Sequence, residues 1–375
     1  MIRVQRPSRC SLARWQKKWG RKLSKPTITG VAKPTVNDIA RVAGVSLATV
    51  DRVLNERPGV RSVTIEKVQS AITELGYVRD TAAANLARRK TYRFVFVLPD
   101  WKGQFLTSLE RGISEVIVNA PQNRTEVRTI RVPTQEHTQL TDTLSALDPA
   151  EVDGLAIMAK ETPQVRDAIA DLRKRGIPVV SLVTDQPNSD RDHFVGIDNV
   201  AAGRTAGTLL GRFTGGQTGK VVVVITNKQS RDMIERRLGF DQVVGASFPH
   251  LETLPSIEGQ EDAAHTERVT LRALKENPDA IGIYSVGASV QGIARAIAAA
   301  DLPQRPVLID HELTENSSAL LRAGVIDAVI TQNTGHLARS ALRVLRAKCD
   351  RTPVIESQEN IRIEIVIREN LPSMK

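Results

Sequence analysis

Ser46, Thr49 and Arg52 are spaced three residues apart, so a helix would carry them along one exposed side. Two hydroxyls at a helix start can hold phosphate together with the free terminal amides, and a guanidinium can fork onto the edge of a guanine. A second set of reactive side chains lies behind short apolar runs. Asp100, Trp101 and Phe105 follow Phe94 to Leu98, and Ser285, His311, Glu312 and Gln332 occur at later run ends. Polar groups at several successive strand ends suit a ligand cleft better than a reaction centre. No Walker loop, G-x-S-x-G elbow, H-E-x-x-H or nucleotide-type G-x-G-x-x-G after the first strand occurs. The six histidines have no metal-ligand spacing, so neither an enzyme nor a cofactor is expected.

Charge is distributed in a way that agrees with the first set. The 375 residues carry +10, but residues 1–37 hold ten Lys or Arg and no acid, residues 38–90 carry +3, and residues 91–375 carry −3. A basic N-terminal end on a nearly neutral remainder suggests a nucleic-acid partner. Residues 1–33, with Pro7, Gly20, Pro26 and Gly30 among the charges, read as a disordered basic extension, and they lack the apolar core of a secretory signal. No apolar run approaches the ~18 residues of a membrane span, and Cys10 and Cys349 are too far apart in sequence to form a disulfide framework. A cytoplasmic protein with no membrane association is expected.

The elements that must position these groups begin at Thr35. Thr35 with Asp38 reads as a capping box, and Val36, Ile39, Ala40 and Ala43 form one helical face that stops at Gly44. Ser46 caps a second helix with Val50, Val53 and Leu54 inward; the short Gly44-Val45 link makes the pair a helix-turn-helix. A third helix turns Val68, Ala71, Ile72 and Leu75 inward and ends at Gly76, with Ser62 as a substitute cap beside Arg61. Residues 34–77 are thus a small helical headpiece. Residues 78–90, alanine-rich and short, form a linker helix that needs a partner to fold. From Arg93 apolar runs alternate with helical stretches, which predicts parallel sheets covered by helices. About 285 residues exceed one core, so residues 91–375 are expected to form two α/β subdomains.

The run Val36-Asn37-Asp38-Ile39-Ala40-Arg41 through Gly44-Val45-Ser46 to Leu54-Asn55, continued by Glu74-Leu75-Gly76-Tyr77 and Ala82 to Ala87, resembles the headpiece and hinge of the lactose-repressor-type (LacI/GalR) transcriptional regulators. The resemblance implies that Leu47, Ala48 and Arg52 read bases, with Ser46, Thr49 and Asn55 at the same interface. It also implies that the hinge helix, with Ala83, wedges Leu86 into the minor groove. Asp51 stands where the family usually has Ser; beside phosphate it would repel unless paired with Arg52 or Arg41.

The remainder is similar to the family's periplasmic-binding-protein-like effector domain, with a crossover between subdomains near residues 197–198. That implies that Asp198, Asn199 and Arg236 face a small-molecule effector, a carbohydrate or related polyol, together with Asp100, Trp101, Phe105, Ser285, His311 and Gln332. Each has a plainer alternative: Trp101 packs, Asp198 caps a helix, Arg236 pairs with Asp232 or Glu235. His311 occupies a place where an acid is more usual. The expected protein is a homodimeric repressor on a pseudo-palindromic operator. A solute-binding protein without a DNA role is the rival, and residues 35–90 argue against it.

Overall fold

The computed structural model describes residues 34–55, 57–77, 90–101, 103–120, 124–133, 137–260 and 262–372, and the chain divides into two compact units at Ala87/Arg88. The expected extension over residues 1–33 and the hinge residues Ala83 and Leu86 lie outside the described residues.

In the first unit α1 (Val36–Ala43), α2 (Leu47–Leu54) and α3 (Ser62–Leu75) close on Ile39, Val50, Val68 and Ala71. Gly44 and Gly76 end α1 and α3 at φ 64° and 59°, a left-handed turn that glycine adopts without a Cβ clash. The Asp38 carboxylate accepts from both the Thr35 amide (2.9 Å) and the Thr35 hydroxyl (2.8 Å), which anchors the start of α1. Two local expectations fail. Val36 is 37% exposed, because the first turn of α1 projects past so small a core. Arg61, not Ser62, is the residue before the first turn of α3, and it supplies no side-chain cap.

The second unit consists of two lobes. The first has an all-parallel sheet in the order β2-β1-β3-β4-β5, made of β1 (Tyr92–Pro99), β2 (Thr125–Val132), β3 (Gly154–Ile157), β4 (Val179–Leu182) and β5 (His193–Val195). Its connections include α4 (Gln104–Asn119), α5 (His137–Ser145) and α6 (Pro163–Lys174). The chain then crosses through Gly196 to Asp198 into α7 (Asn199–Phe213), which packs on the second sheet.

That sheet is built from β6 (Gly219–Ile225), β7 (Leu251–Thr253), β8 (Ile257–Glu258), β9 (Ala280–Val286), β10 (Val307–His311), β11 (Ala328–Gln332) and β12 (Ile363–Val366). Its order is β12-β11-β10-β9-β6-β7, with β8 also on β6, so the first lobe's pattern is repeated. Helices α8 (Arg231–Ser247), α9 (Ala263–Glu276), α10 (Val290–Ala299) and α11 (Glu315–Arg322) connect these strands. From β11 the chain crosses back into α12 (Thr334–Cys349), which packs on β1, β3, β4 and β5. A last passage, through α13 (Glu356–Glu359), brings β12 antiparallel onto β11. An antiparallel edge strand on a parallel sheet is the one departure from the expected topology, and it is sterically free because the edge has no neighbour to oppose it. Edge strand β2 is also half exposed, unlike the buried central strands.

The central strands are apolar on both faces because each carries helices on both sides: Val95 and Val97 point into one core layer, Phe94, Phe96 and Leu98 into the other. Helices α7 and α8 approach unusually closely. A Cβ on Gly203 would lie 1.8 Å from the Arg236 carbonyl oxygen, and one on Gly239 would lie 2.0 Å from that of Val200. Only hydrogen fits at either site, so this pair of glycines sets the separation of the two helices. Gly203→Ala should therefore lower stability by about 2 kcal/mol or more in urea denaturation, since backbone oxygens cannot rotate away. Gly245→Ala, on the same α8 but facing open space, should instead stabilise by about 0.5–1 kcal/mol. Equal effects at the two positions would show that helix propensity, not the close approach, governs both.

Candidate functional site

In the headpiece, Ser46 caps α2. Its hydroxyl accepts from the Thr49 amide at 3.2 Å and lies 2.9 Å from the Thr49 hydroxyl. Leu47, half exposed, is followed by exposed Ala48 and Arg52. The Arg52 side chain makes no ion pair or hydrogen bond to any described residue, while its carbonyl accepts from the Arg57 amide at 2.9 Å, so its guanidinium is available to a partner. Asp51 is neutralised, though not by the residues expected: Arg57 lies 3.3 Å away and Asn55 donates to its carboxylate at 2.6 Å. Arg41 instead pairs with Asp38 at 3.1 Å. The reason is helical phase, since Asn55 is one turn beyond Asp51, whereas Arg52 projects about 100° away. Asn55 is thus partly engaged in holding Asp51.

In the second unit a cleft of about 470 Å³ opens where the strands of both sheets end. It lies over the places where strand order reverses, between β1 and β3 in one lobe and between β6 and β9 in the other; Pro99, Lys160, Asn227 and Gly287 mark these ends on its wall. Of the nine residues expected to face an effector, Trp101, Phe105 and Arg236 line this cleft. The other six do not. Asp100 is exposed, 3.7 Å from Arg131. Asp198 caps α7, accepting from the Ala201 amide at 2.9 Å, and so takes the plainer of its two roles. Asn199, Ser285, His311 and Gln332 are buried behind the wall.

Two of them, Asn199 directly and Gln332 through Glu312, serve Arg236, whose side chain is only 2% exposed. Its Nε donates to Asn199 Oδ1 at 2.9 Å and its Nη2 to Glu312 Oε1 at 3.1 Å; Nη1 has no acceptor among the described residues. Asp232 and Glu235, the partners suggested by proximity in sequence, are not bonded to it. Asp232 accepts from the Ser230 hydroxyl at 2.6 Å, and Glu235 accepts from Arg231 at 2.8 Å. Gln332 donates to the same Glu312 oxygen at 2.9 Å. Burial raises the Glu312 pKa above the usual carboxylate value, against the opposing pull of Arg236 and Gln332. The acid missing at His311 is thus supplied by its neighbour. His311 itself accepts or donates 2.8 Å from the Tyr284 hydroxyl, and burial, with Arg236 nearby, pushes its pKa well down, so it is neutral. Ser285 lies beside buried Asp310, whose pKa burial raises to about 8.

Lys160, Thr184, Asn227, Asp232 and Gln260 also stand on the polar wall, with Thr226, Ser230, Glu258 and Glu312, and these five were absent from the set of effector-facing residues read from the sequence. Lys160 and Asn227 follow strands that the apolar runs mark, so searching every strand end would have found them. Gln260 follows the two-residue β8, which no run announces. Backbone strain is also concentrated here. Val183, Gln260 and Glu312, all on the cleft wall, have φ of 66°, 58° and 70°. Side chains with a Cβ pay to adopt this region, and such residues collect at ligand sites. At the cleft's edge Arg231 of the second lobe meets Glu161 of the first at 2.8 Å, and the Asn316 amide donates to Gln104 Oε1 at 3.2 Å, so polar contacts among the described residues join the lobes.

The chain thus joins a helix-turn-helix headpiece to a two-lobed α/β domain with a cleft between its lobes. Residues 94–352 match the family described as periplasmic binding protein domain, and residues 35–80 match bacterial regulatory proteins, lacI family. Over more than half of its length the chain belongs to the periplasmic binding protein domain family, and its headpiece is that of the lacI family of bacterial regulatory proteins. Catabolite control protein A of Priestia megaterium is 32% identical over 146 residues, 39% of this chain and 42% of that protein. The sucrose operon repressor of Pediococcus pentosaceus is 28% identical over 225 residues, 60% and 65% respectively. These alignments span about half of the curated relatives' length, and just under two thirds for the sucrose operon repressor. Among solved structures, a glucose-galactose binding protein from Geobacillus stearothermophilus shares the fold with TM-score 0.67 at 20% identity, covering 76% of this chain and all of the other.

The buried acid at Asp310 has a measurable consequence. Its pKa is higher folded than unfolded, so between about pH 4 and pH 8 the folded state binds more protons and stability falls as pH rises. Asp310→Asn cannot titrate. Relative to wild type, its unfolding free energy should rise with pH by up to about 1 kcal/mol per unit between pH 5 and 8. Parallel urea curves at pH 5, 6.5 and 8 read this directly, and a pH-independent difference would mean that Asp310 stays ionised.

Proposed function

We propose that the protein is a sequence-specific DNA-binding transcription regulator, a repressor, whose operator affinity is set by a small polyol or sugar in the cleft between its lobes. The observation that carries this reading is the exposed start of α2, where Leu47, Ala48 and Arg52, whose side chain has no partner among the described residues, stand on a three-helix support. Leu47 and Ala48 offer carbon to thymine methyl groups, and Arg52 offers a fork to guanine O6 and N7. The ion pair of Asp51 with Arg57, beside the hydrogen bond from Asn55, weakens the main electrostatic objection to placing α2 against phosphate.

One headpiece is too small to read more than a half-site, so the working unit is a homodimer on a pseudo-palindromic operator. Ala83 and Leu86 would then contribute the minor-groove wedge between half-sites. The cleft supplies the control: Arg236 Nη1 and Lys160 offer donors to hydroxyl oxygens, and Asp232 offers an acceptor. The relatives named as a sucrose operon repressor and as sugar-binding proteins favour a carbohydrate-like effector. A ligand that fits one lobe arrangement better than the other would shift DNA affinity through that difference alone.

Selection from a random duplex pool with the purified full chain should return a palindromic consensus with one preferred half-site sequence. Arg52→Ala should then weaken binding to that consensus by about 1–3 kcal/mol and flatten preference at one position in each half-site. Uniform weakening across all sequences would refute base reading by Arg52, and recovery of no consensus would refute the regulator reading. Leu86→Ala should reduce the bend of the bound duplex in a fluorescence assay, with affinity falling in parallel.

A further inference from the structure

The side of α2 assigned to base reading carries one group that Leu47, Ala48 and Arg52 leave unused. Asp51 is four residues beyond Leu47 and three beyond Ala48, so all three stand on one side of the helix. Its carboxylate is more than half exposed and faces the Arg57 guanidinium at 3.3 Å. Arg57 itself lies beyond the end of α2. Its amide donates to the Arg52 carbonyl at 2.9 Å, so the chain folds back against the last turn of α2 before Gly59, at φ 95°, leads on to α3. Asn55 donates to the other Asp51 oxygen at 2.6 Å and so turns that carboxylate toward the C-terminal end of the helix, where Arg57 is. The Arg57 side chain is held in this way and is still 58% exposed.

We infer that Arg57 is a second guanine-reading residue, aimed by Asp51, at a half-site position distinct from the one read by Arg52. The inference rests on the reading that α2 enters the major groove, and it gives Asp51 a positioning role there. A guanidinium meant for phosphate would gain nothing from this pairing, because the carboxylate repels the anion it sits beside. Guanine O6 and N7 are neutral acceptors, so a carboxylate behind the guanidinium costs little and holds the fork in one orientation. An exposed ion pair is weak in the free headpiece. Once the groove excludes water, the same separation counts for more.

Base preference is read by duplex selection with the full chain and with Arg52→Ala, Arg57→Ala, Asp51→Ala, Asp51→Glu and the Asp51→Ala, Arg57→Ala double variant. Arg57→Ala should lower a guanine preference by about fivefold or more at a half-site position that Arg52→Ala leaves intact. Asp51→Ala should flatten that same position, the double variant should flatten it no further, and Asp51→Glu should restore part of it. Preference at the Arg52 position should persist in every variant that keeps Arg52, which reports that the headpiece is folded and docked. Equal weakening on all sequences in Arg57→Ala, with the slope of log K against log salt shallower by about one, identifies a phosphate contact and overturns the inference. An Asp51→Ala profile changed at another position, or nowhere, overturns it too. Either result leaves base reading by Arg52 standing, whereas a wild-type chain that selects no consensus overturns the DNA-binding reading as well.

Discussion

A guanidinium removed from water has to be matched by acceptors, and Arg236 is the buried cation around which the second unit is arranged. Desolvation opposes its charge, but Glu312 and the nearby Asp232 outweigh that cost and hold it protonated. Its acceptors come from distant places. Asn199 is the first residue of α7 after the chain enters the second lobe, and Glu312 is the residue after β10. Satisfying one side chain therefore ties the crossover, helix α8 and the end of a central strand into a single polar cluster. Gln332, at the end of β11, completes it.

Two steric features make that cluster possible. The backbone approach at Gly203 and Gly239 brings α7 close enough to α8 for Asn199 Oδ1 to accept from the guanidinium; bulkier residues would hold the helices apart. The left-handed conformation of Glu312 turns its carboxylate back towards Arg236 instead of onward along the strand direction. Strain at Val183 and Gln260 lies on the same cleft, so the conformational cost is concentrated where a ligand can compensate it. The ion pair between Arg231 and Glu161 links the lobes at the cleft's edge without burying either charge completely, which keeps separation of the lobes inexpensive.

The headpiece follows another logic. Its core is four buried side chains and a ring of half-buried ones, enough to fix three short helices, with no buried polar residue among the described residues of the unit. All of its chemistry is on the surface, where Ser46 and Thr49 bond to each other and Asp51 is neutralised locally. What is left uncommitted on α2 is a short apolar patch and Arg52. In this chain, then, one unit stores its functional groups in a buried network and the other leaves them exposed.

Local pattern was sufficient wherever neighbours in sequence decide the structure. The caps and glycine stops of the headpiece, the apolar runs of β1, β3, β4, β6 and β9, and the end of the first lobe before Asp198 are all legible from Thr35 onward, since helical and strand periodicity depend only on nearby residues. The very short strands β5, β7 and β8 were not, because two or three residues carry no period. Nor were the partners. Asp51 chose Asn55 and Arg57 over Arg41, and Arg236 ignored Asp232 and Glu235 for residues 37 and 76 positions away. Sequence by itself thus determined which residues form the elements and that polar groups gather at strand ends. Only the tertiary structure decided which of those groups face the cleft and which are buried behind it, because that depends on strand order and on how closely two helices can pack.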